Sequence, residues 1–220
     1  MKVLVVGANG KVAKQFASLT QDHNNIDEKA VIRDSSQKSF FDERGIETQI
    51  LDIVHNSIED FAKAMSDVDA VVFSAGAGGS GLDKTVMVDL DGAIKIMTAA
   101  EQANVNRFVM VSTFRTGRKQ IAKGIENDAP LKIYTIAKNY ADEWLKNRTG
   151  LDWTIVHPGT LTDEEGTGKI KVGMGNNHGE VPRQDVAQAI MASLETDSTI
   201  RKEFEVLSGD EPIDDAIKSV

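Results

Sequence analysis

The chain opens on MKVLVVGANGKVA (residues 1–13), in which an apolar run leads directly into a glycine-containing turn. Val3–Val6 has the length and the unbroken apolar character of a buried strand. After the turn, apolar residues recur at helical spacing at Val12, Phe16 and Leu19. A strand, a tight turn and a helix in this order predict the first unit of a dinucleotide-binding fold.

The turn itself has the spacing Gly-x-x-Gly-x-x-Ala, with Gly7, Gly10 and Ala13 at its fixed positions. Glycine allows backbone N–H groups to come close to a pyrophosphate, and the N-terminus of the following helix adds a partial positive charge. An ATP-type phosphate loop is excluded because Lys11 is followed by Val12 rather than Ser or Thr. The pattern alone also fits a simple turn, but its place after the first strand favours cofactor binding.

Strand-length apolar runs continue to alternate with amphipathic stretches along the chain, which predict, among others, a polar helix from about Ser36 to Arg44 and a long helix from roughly Lys84 to Asn104. The later runs are Ala30–Ile32, Glu47–Leu51, Ala70–Phe73, Arg107–Val111 and Trp153–Val156. The alternation predicts an α/β protein with a doubly wound parallel sheet, the Rossmann fold, in a single domain over residues 1–220. Beyond Pro158 the sequence becomes rich in glycine, and we expect residues 159–220 to form a small C-terminal lobe packed on the sheet.

Composition narrows the class of protein. The net charge of −9 argues against nucleic-acid binding, which needs clustered cations. Five basic residues between Arg107 and Lys123 fit a solvated loop or the rim of an anionic-ligand pocket. There is no cysteine, and the four histidines lack metal-ligand spacing, so we predict no disulfide and no metal site. We expect a cytoplasmic protein with a small-molecule substrate and no membrane partner, as either a monomer or a homodimer.

The end of the second predicted strand bears on cofactor choice. Arg33 stands where such folds meet the adenosine ribose, and an arginine there pairs with a 2′-phosphate. We therefore predict NADP, with NADPH preferred over NADH, and expect Asp34 to turn to solvent or cap the next helix. Asp52, after the third strand, is equally suited to an adenine contact or to a helix entry. In the glycine-rich loop after the fourth strand we expect Ala75 and Gly76 to lie near the cofactor.

Tyr134 and Lys138 are the candidate acid–base pair. Four residues apart on a predicted helix from about 131 to 148, they share one face. A phenol, with a pKa of about 10, needs a nearby cation to act at neutral pH, and Lys138 is placed to supply it. Ser112 and Thr113 close the fifth strand, where one hydroxyl is suited to hold a substrate carbonyl. Since neighbouring strand residues point to opposite faces, only one of them can serve.

Taken together, these segments resemble the atypical short-chain dehydrogenase/reductases, over essentially the whole chain. The resemblance is carried by GANGKVA (7–13), VIRDSS (31–36), FVMVST (108–113), LDWTIVHPGTLT (151–162) and the late RQDVA (183–187). Biliverdin-IXβ and flavin reductases and nitrogen-repressor-type NADP sensors belong to the same broad set. The family segment usually has arginine where this chain has His157.

The resemblance implies that Tyr134 donates a proton, that Lys138 activates it and that Ser112 or Thr113 holds the carbonyl. It also places residues 157–159 beside the nicotinamide. The predicted cofactor contacts are Gly7, Asn9, Gly10, Lys11, Val12, Arg33, Asp52, Ile53, Ala75, Gly76, Lys138, His157, Pro158 and Gly159.

Three functions follow from these residues. The first is an NADPH-dependent oxidoreductase acting on a small carbonyl, quinone or flavin-like substrate. The second is a non-catalytic NADP-sensing or protein-binding module, since the tyrosine is not universal in the family. The third is an NAD(P)-dependent epimerase, ranked last because little chain follows Pro158 to build a substrate domain. We expect the substrate pocket to involve residues 76–82, 114–130 and 160–181.

Overall fold

Parallel strands form the centre of the protein, whose computed structural model describes all residues from 1 to 220. The strands are β1 (Lys2–Val6), β2 (Asp27–Ile32), β3 (Glu47–Ile50), β4 (Ala70–Phe73), β5 (Arg107–Val111), β6 (Asp152–Pro158), β7 (Thr160–Thr162), β8 (Lys169–Gly173), β9 (Glu180–Pro182), β10 (Lys202–Ser208) and β11 (Glu211–Pro212). Nine of them make one sheet in the order β11-β8-β10-β6-β5-β4-β1-β2-β3, and β7 pairs with β9 in a small second sheet. The predicted Rossmann fold is confirmed.

Helices cover both faces of the large sheet. They are α1 (Lys11–Leu19), α2 (Ser39–Asp42), α3 (Ile58–Ala64), α4 (Leu82–Lys84), α5 (Ala93–Gln102), α6 (Arg118–Glu126), α7 (Lys132–Arg148), α8 (Arg183–Leu194) and α9 (Ile213–Lys218). A π-helical segment, Thr85–Gly92, joins α4 to α5. No helix combines the length and apolar character that a membrane crossing needs.

The apolar runs of the central strands produce two cores. In Val3–Val6 every residue is fully buried, and successive side chains enter opposite faces of the sheet. Val3 and Val5 join the core beneath α1 and α8, whereas Leu4 and Val6 join the core beneath α3, α5 and α7. A strand covered on both faces needs no polar alternation, which is why continuous apolar sequence predicted these strands correctly.

The structure departs from the predicted elements in three places. The polar helix predicted to start at Ser36 is reduced to a short 3-10 turn, Ser35–Gln37, followed by the one-turn α2. Helix α6 lies within residues 114–130, which were predicted as a loop because the stretch is mostly polar; only Ile121 in the helix is buried. The long helix predicted after residue 84 is interrupted by the π-helical segment.

Residues 159–220 extend the main sheet instead of standing apart from it. β10 pairs in parallel with β6, and β8 pairs antiparallel with the other edge of β10. Buried Phe204 and Val206 on β10 belong to the same core as β1. The expected C-terminal lobe is therefore largely a continuation of the Rossmann sheet.

Candidate cofactor and active site

Two adjoining cavities lie at the carboxyl ends of the central parallel strands. The first, of about 590 Å³, is called the Tyr134 cavity, and the second, of about 520 Å³, the Arg33 cavity, each after one of its lining residues. They share Gly10 and the segment from Ser74 to Ala77. They therefore form one cleft above β1 and β4, where the chain changes direction across the sheet and where such folds bind ligands.

The glycine turn fits a phosphate group at the middle of this cleft. Gly7 has a φ of 85°, and a Cβ atom there would lie only 2.6 Å from the Cα of Ala75. Gly10 precedes α1 without any side-chain cap, and the first turn of α1 contains no acidic residue. Unpaired N–H groups at a helix N-terminus attract an anion, so the turn fits the pyrophosphate of a dinucleotide.

The neighbours of the turn divide between the two cavities. Asn9 lines the Arg33 cavity, whereas Lys11 and Val12 line the Tyr134 cavity. The Lys11 ammonium lies 2.6 Å from a carboxylate oxygen of Asp163, and Arg183 reaches the same carboxylate. Asp163 thus connects two residues that line the Tyr134 cavity, Lys11 and Arg183.

Arg33, the residue that follows β2, lines the Arg33 cavity. Asp34 turns away from it and accepts a hydrogen bond from the backbone N–H of Ser36 at 2.8 Å, capping the 3-10 turn. That hydrogen bond lowers the pKa of the Asp34 carboxyl. Of Arg33 and Asp34, only Arg33 lines the cleft.

Asp52 and Ile53 form the floor of the Arg33 cavity. The Asp52 carboxylate accepts a hydrogen bond from the N–H of Val54 at 2.7 Å, and the Asp52 N–H donates to Asn56. Asp52 therefore shapes the turn that leads to α3 while it lines the cavity. The sequence left open whether Asp52 contacts the adenine or begins the next helix, and its position is compatible with both roles.

Tyr134 and Lys138 both line the Tyr134 cavity from α7. The Lys138 ammonium lies 5.9 Å from the centre of the Tyr134 ring. Lys138 is buried, and it donates to the carbonyls of Ala75 at 3.3 Å and Val111 at 3.2 Å. These contacts fix the charge between the tyrosine and the loop that follows β4.

Asp89 is the countercharge of Lys138 and was not predicted from the sequence. It is fully buried in the π-helical segment, with a carboxylate oxygen 3.3 Å from the Lys138 ammonium. Its other oxygen accepts from the N–H of Ala77 at 3.0 Å. Asp89 therefore contacts both Lys138 and the backbone of the glycine-rich loop. A π-helical turn frequently marks a functional site, but nothing in local sequence announces one.

Of the two hydroxyls that end β5, only Ser112 lines the Tyr134 cavity. Its hydroxyl donates to the buried carboxylate of Asp142 at 2.6 Å. Burial raises the pKa of Asp142, against the opposing effects of His157 and of the Ser112 hydrogen bond. Thr113 lines neither cavity, and its carbonyl contacts the Nδ1 of His157 at 2.9 Å.

Of residues 157–159, at the end of β6, only Pro158 lines the Tyr134 cavity. His157 lies instead on a separate, third cavity, with its Nε2 3.2 Å from Glu203. Gly159 packs on backbone, since a Cβ there would lie 2.4 Å from the carbonyl oxygen of Gly179. The predicted cofactor contacts at His157 and Gly159 are therefore placed outside the cleft.

The pKa of His157 is raised by its polar neighbours. Burial acts to lower it, but the hydrogen bond with Glu203, the charge of Asp142 and the Thr113 carbonyl together outweigh burial. The Glu203 pKa falls to about 2, chiefly through the His157 hydrogen bond. The two groups form an ion pair beneath the third cavity.

Several further residues line the cleft that the sequence did not single out individually. Ser74 and Ala77 line both cavities, and the Tyr134 cavity is further bounded by Gly78, Gly79, Gly81, Leu82, Thr85, Pro130, Leu131, Ile133, Leu161 and Arg183. Most of them fall in the glycine-rich loop and in the segments predicted to shape the substrate pocket. The loop was the available signal, but composition does not say which of its residues face inwards.

The glycine turn and a cleft at the switch point of the sheet define a dinucleotide-binding α/β protein. The chain belongs to the NAD(P)H-binding family, whose model matches residues 7–197.

Similar proteins match over the full length. The chain is 39% identical to the uncharacterised sugar epimerase YhfK of Bacillus subtilis, with 100% of both chains covered. Among solved structures, a candidate NAD-dependent epimerase/dehydratase from Bacillus halodurans is 39% identical, with a TM-score of 0.89 and 100% of both chains covered. The oxidoreductase ylbE from Lactococcus lactis is 32% identical, with a TM-score of 0.85 over 100% of this chain and 96% of the other.

Proposed function

We propose that the protein is an NADPH-dependent oxidoreductase that reduces a small carbonyl, quinone or flavin-like substrate. The observation that carries the proposal is the Tyr134 cavity, where Tyr134, Lys138 and Ser112 face the same space as the glycine turn. The cofactor, when bound, supplies a hydride. The remaining requirements are a proton, a group to hold the substrate oxygen and a shielded site.

Tyr134 is the proposed proton donor. Its hydroxyl gives a proton to the substrate oxygen as negative charge develops there, and the fixed charge of Lys138 stabilises the phenolate that remains. Lys138 keeps its position because Asp89 and two backbone carbonyls hold it. Ser112 lies at the end of β5 beside this space, and to donate to the substrate oxygen its hydroxyl has to exchange its hydrogen bond to Asp142 for one to the substrate.

Substitution of the tyrosine tests this chemistry. We expect Tyr134→Phe to lower kcat for NADPH oxidation by about 10²–10⁴-fold on a panel of carbonyls, quinones and flavins, with NADPH affinity unchanged. Tyr140→Phe is the matched control, because Tyr140 lies on the same helix but is exposed and hydrogen-bonded to Arg118. Unchanged turnover in Tyr134→Phe rules out tyrosine acid–base catalysis. Tight NADPH binding with no turnover on any substrate favours the sensor instead.

NADPH preference rests on Arg33. We expect Arg33→Ala to weaken NADPH binding by about 10–100-fold, because charge-assisted hydrogen bonds to the 2′-phosphate are lost, and to leave NADH binding unchanged. Calorimetric titration of both cofactors against both proteins measures this. A wild-type protein that binds NADH more tightly, with no effect of Arg33→Ala, contradicts NADP specificity.

An epimerase is the second candidate, favoured by the names of two similar proteins that match the whole chain. An epimerase returns the hydride to its substrate, so the cofactor is not consumed. Proton NMR of nucleotide-sugars incubated with cofactor-loaded protein distinguishes the two. Inversion at a sugar carbon without net NADPH oxidation supports the epimerase and contradicts the reductase.

A further inference from the structure

The third cavity, of about 290 Å³, lies apart from the cofactor cleft and shares no lining residue with it. Three basic side chains, Arg115, Lys119 and Lys123, line it, and we call it the basic cavity. Met174 is its single hydrophobic lining residue. It is therefore suited to a polar ligand, in contrast to the largely apolar pockets that bind most organic molecules.

These three residues belong to the stretch of five basic residues between Arg107 and Lys123. The other two, Arg107 and Arg118, have hydrogen-bond partners elsewhere. Arg107 is turned into the sheet, where it donates to the carbonyls of Asp152 and Ser193. Arg118 donates to the hydroxyl of Tyr140. The other three cations of the stretch, Arg115, Lys119 and Lys123, all line the basic cavity.

The three cations of the cavity have no carboxylate within ion-pairing distance. Acidic residues outnumber basic ones by 34 to 25 in this chain, so three neighbouring unpaired cations require an explanation. The three side chains are exposed, so water and salt reduce the repulsion among their like charges without removing it. A bound anion relieves that repulsion.

The geometry of the cavity is set by two elements. Lys119 and Lys123 are four residues apart on α6 and so share one face of the helix. Arg115, with a φ of 57°, sits in the left-handed region and donates to the carbonyl of Asn176 at 3.3 Å. That bond holds the guanidinium against the loop opposite α6. The charges thus approach the same space from two sides.

Acidic groups at the cavity are already engaged. Glu205 lines it, but one of its oxygens accepts from the N–H of Asn176 at 2.7 Å. Glu203, beneath it, pairs with His157 and Lys146. With three cations against the single carboxylate of Glu205, and His157 balanced by Glu203, the lining has an excess of positive charge.

We propose that the basic cavity binds a small polyanion, a compact molecule with two or more carboxylate or phosphate groups. Its volume is too small for a dinucleotide, and no Phe, Tyr or Trp lines it to stack a base. The site does not rest on the proposed reductase chemistry. One contact connects the two sites: the ring of His157, which lines the basic cavity, contacts the carbonyl of Thr113, the residue after Ser112.

Titration calorimetry of citrate and of pyrophosphate into the cofactor-free protein tests the proposal, and comparison of the two probes separates carboxylate from phosphate recognition. We expect one site for at least one probe. Lys119→Gln and Lys123→Gln should each weaken its binding by about tenfold, which corresponds to a lost charge-assisted contact. Arg118→Gln is the matched control on the same helix, and we expect no change.

A second arm separates the basic cavity from the cofactor cleft, since pyrophosphate also resembles part of the cofactor. We expect the probe to bind equally well when NADPH saturates the protein. Binding that NADPH abolishes, and that Lys119→Gln and Lys123→Gln leave intact, overturns the proposal. So does the absence of binding by both probes at millimolar concentration.

Discussion

Among the glycines that line the cleft, Gly7 is the one at which an added Cβ atom would make the closest contact. An alanine there meets two costs: a backbone φ of 85° and a Cβ placed 2.6 Å from the backbone of Ala75. We expect Gly7→Ala to lower the free energy of unfolding by about 2–4 kcal/mol and to weaken cofactor binding. Urea denaturation followed by circular dichroism measures the loss.

Gly45 offers the matched control for that substitution. It also has a positive φ, of 66°, but a Cβ there meets nothing within 4 Å. We expect Gly45→Ala to cost only about 1 kcal/mol, the conformational part alone. Equal losses in the two variants would show that the approach of Gly7 to Ala75 contributes nothing.

Glu28 is a buried acid with no hydrogen-bond partner for either carboxylate oxygen. Burial raises its pKa from 4.5 to about 8. The folded state therefore holds a proton that the unfolded state releases, so stability falls as pH rises from about 4.5 to about 8, at most by about 1.4 kcal/mol per pH unit. We expect Glu28→Gln, which cannot ionise, to be more favourable relative to wild type at pH 8 than at pH 5.

Glu203 provides a control of opposite sign. Its pKa is lowered to about 2, so it stabilises the folded state above about pH 4.5, and that contribution is lost as pH falls towards 2. Because its side chain is 30% exposed, we expect Glu203→Gln to cost only about 1–2 kcal/mol at pH 7, with a smaller deficit at pH 3. If the Glu28 and Glu203 variants show the same pH trend, burial and pairing do not determine the two pKa values.

Two helical elements are joined beneath the active site by Lys138 of α7 and Asp89 of the π-helical segment. Removing one partner leaves a buried, uncompensated charge. We expect Asp89→Asn and Lys138→Met each to lower the free energy of unfolding by about 3 kcal/mol or more. The double variant should lose less than the sum of the two, which a double-mutant cycle in urea measures. Strict additivity would contradict the pairing.

The elements that the sequence predicted correctly are those whose burial is visible in composition. β4 is a continuous apolar run and β5 is one after its first residue, Arg107, and the bounds of both strands in the structure are the predicted ones. Helix α6 and the π-helical segment were not predicted because composition does not reveal them. Helix α6 buries a single side chain, and the π-helical segment results from a change of helical pitch that side-chain spacing does not encode.

The candidate site divides in the same way. Gly7, Arg33 and Tyr134, which line the cleft, could be proposed from the sequence because each occupies a fixed place relative to a strand or within a helix. Asp89 and Asp142 were not, because each is an ordinary acid in sequence and becomes special only through burial against a partner on another element. His157 was placed beside the nicotinamide by resemblance, but its ring lines the third cavity and contacts the carbonyl of Thr113.

At the scale of the whole molecule, the cleft depends on strand order. The chain builds β1, β2 and β3 outwards in one direction and then returns to place β4 on the other side of β1. The loops after β1 and β4 therefore diverge and leave the space that both cavities share. β10 then adds to the far side of β6, so the last part of the chain supports the strand that ends at Pro158.

This continuity predicts one cooperative unit. β10 lies inside the sheet between β6 and β8, and its side chains share a core with β1, so neither strand can open without the other. We expect native-state hydrogen exchange to give amides of Lys202–Ser208 the same opening free energy as those of Lys2–Val6. Amides of α6, which buries only Ile121, should open at a much lower free energy and serve as the internal control. If β10 instead opens several kcal/mol below β1, residues 159–220 behave as a separate lobe, and the extended sheet is not a single folding unit.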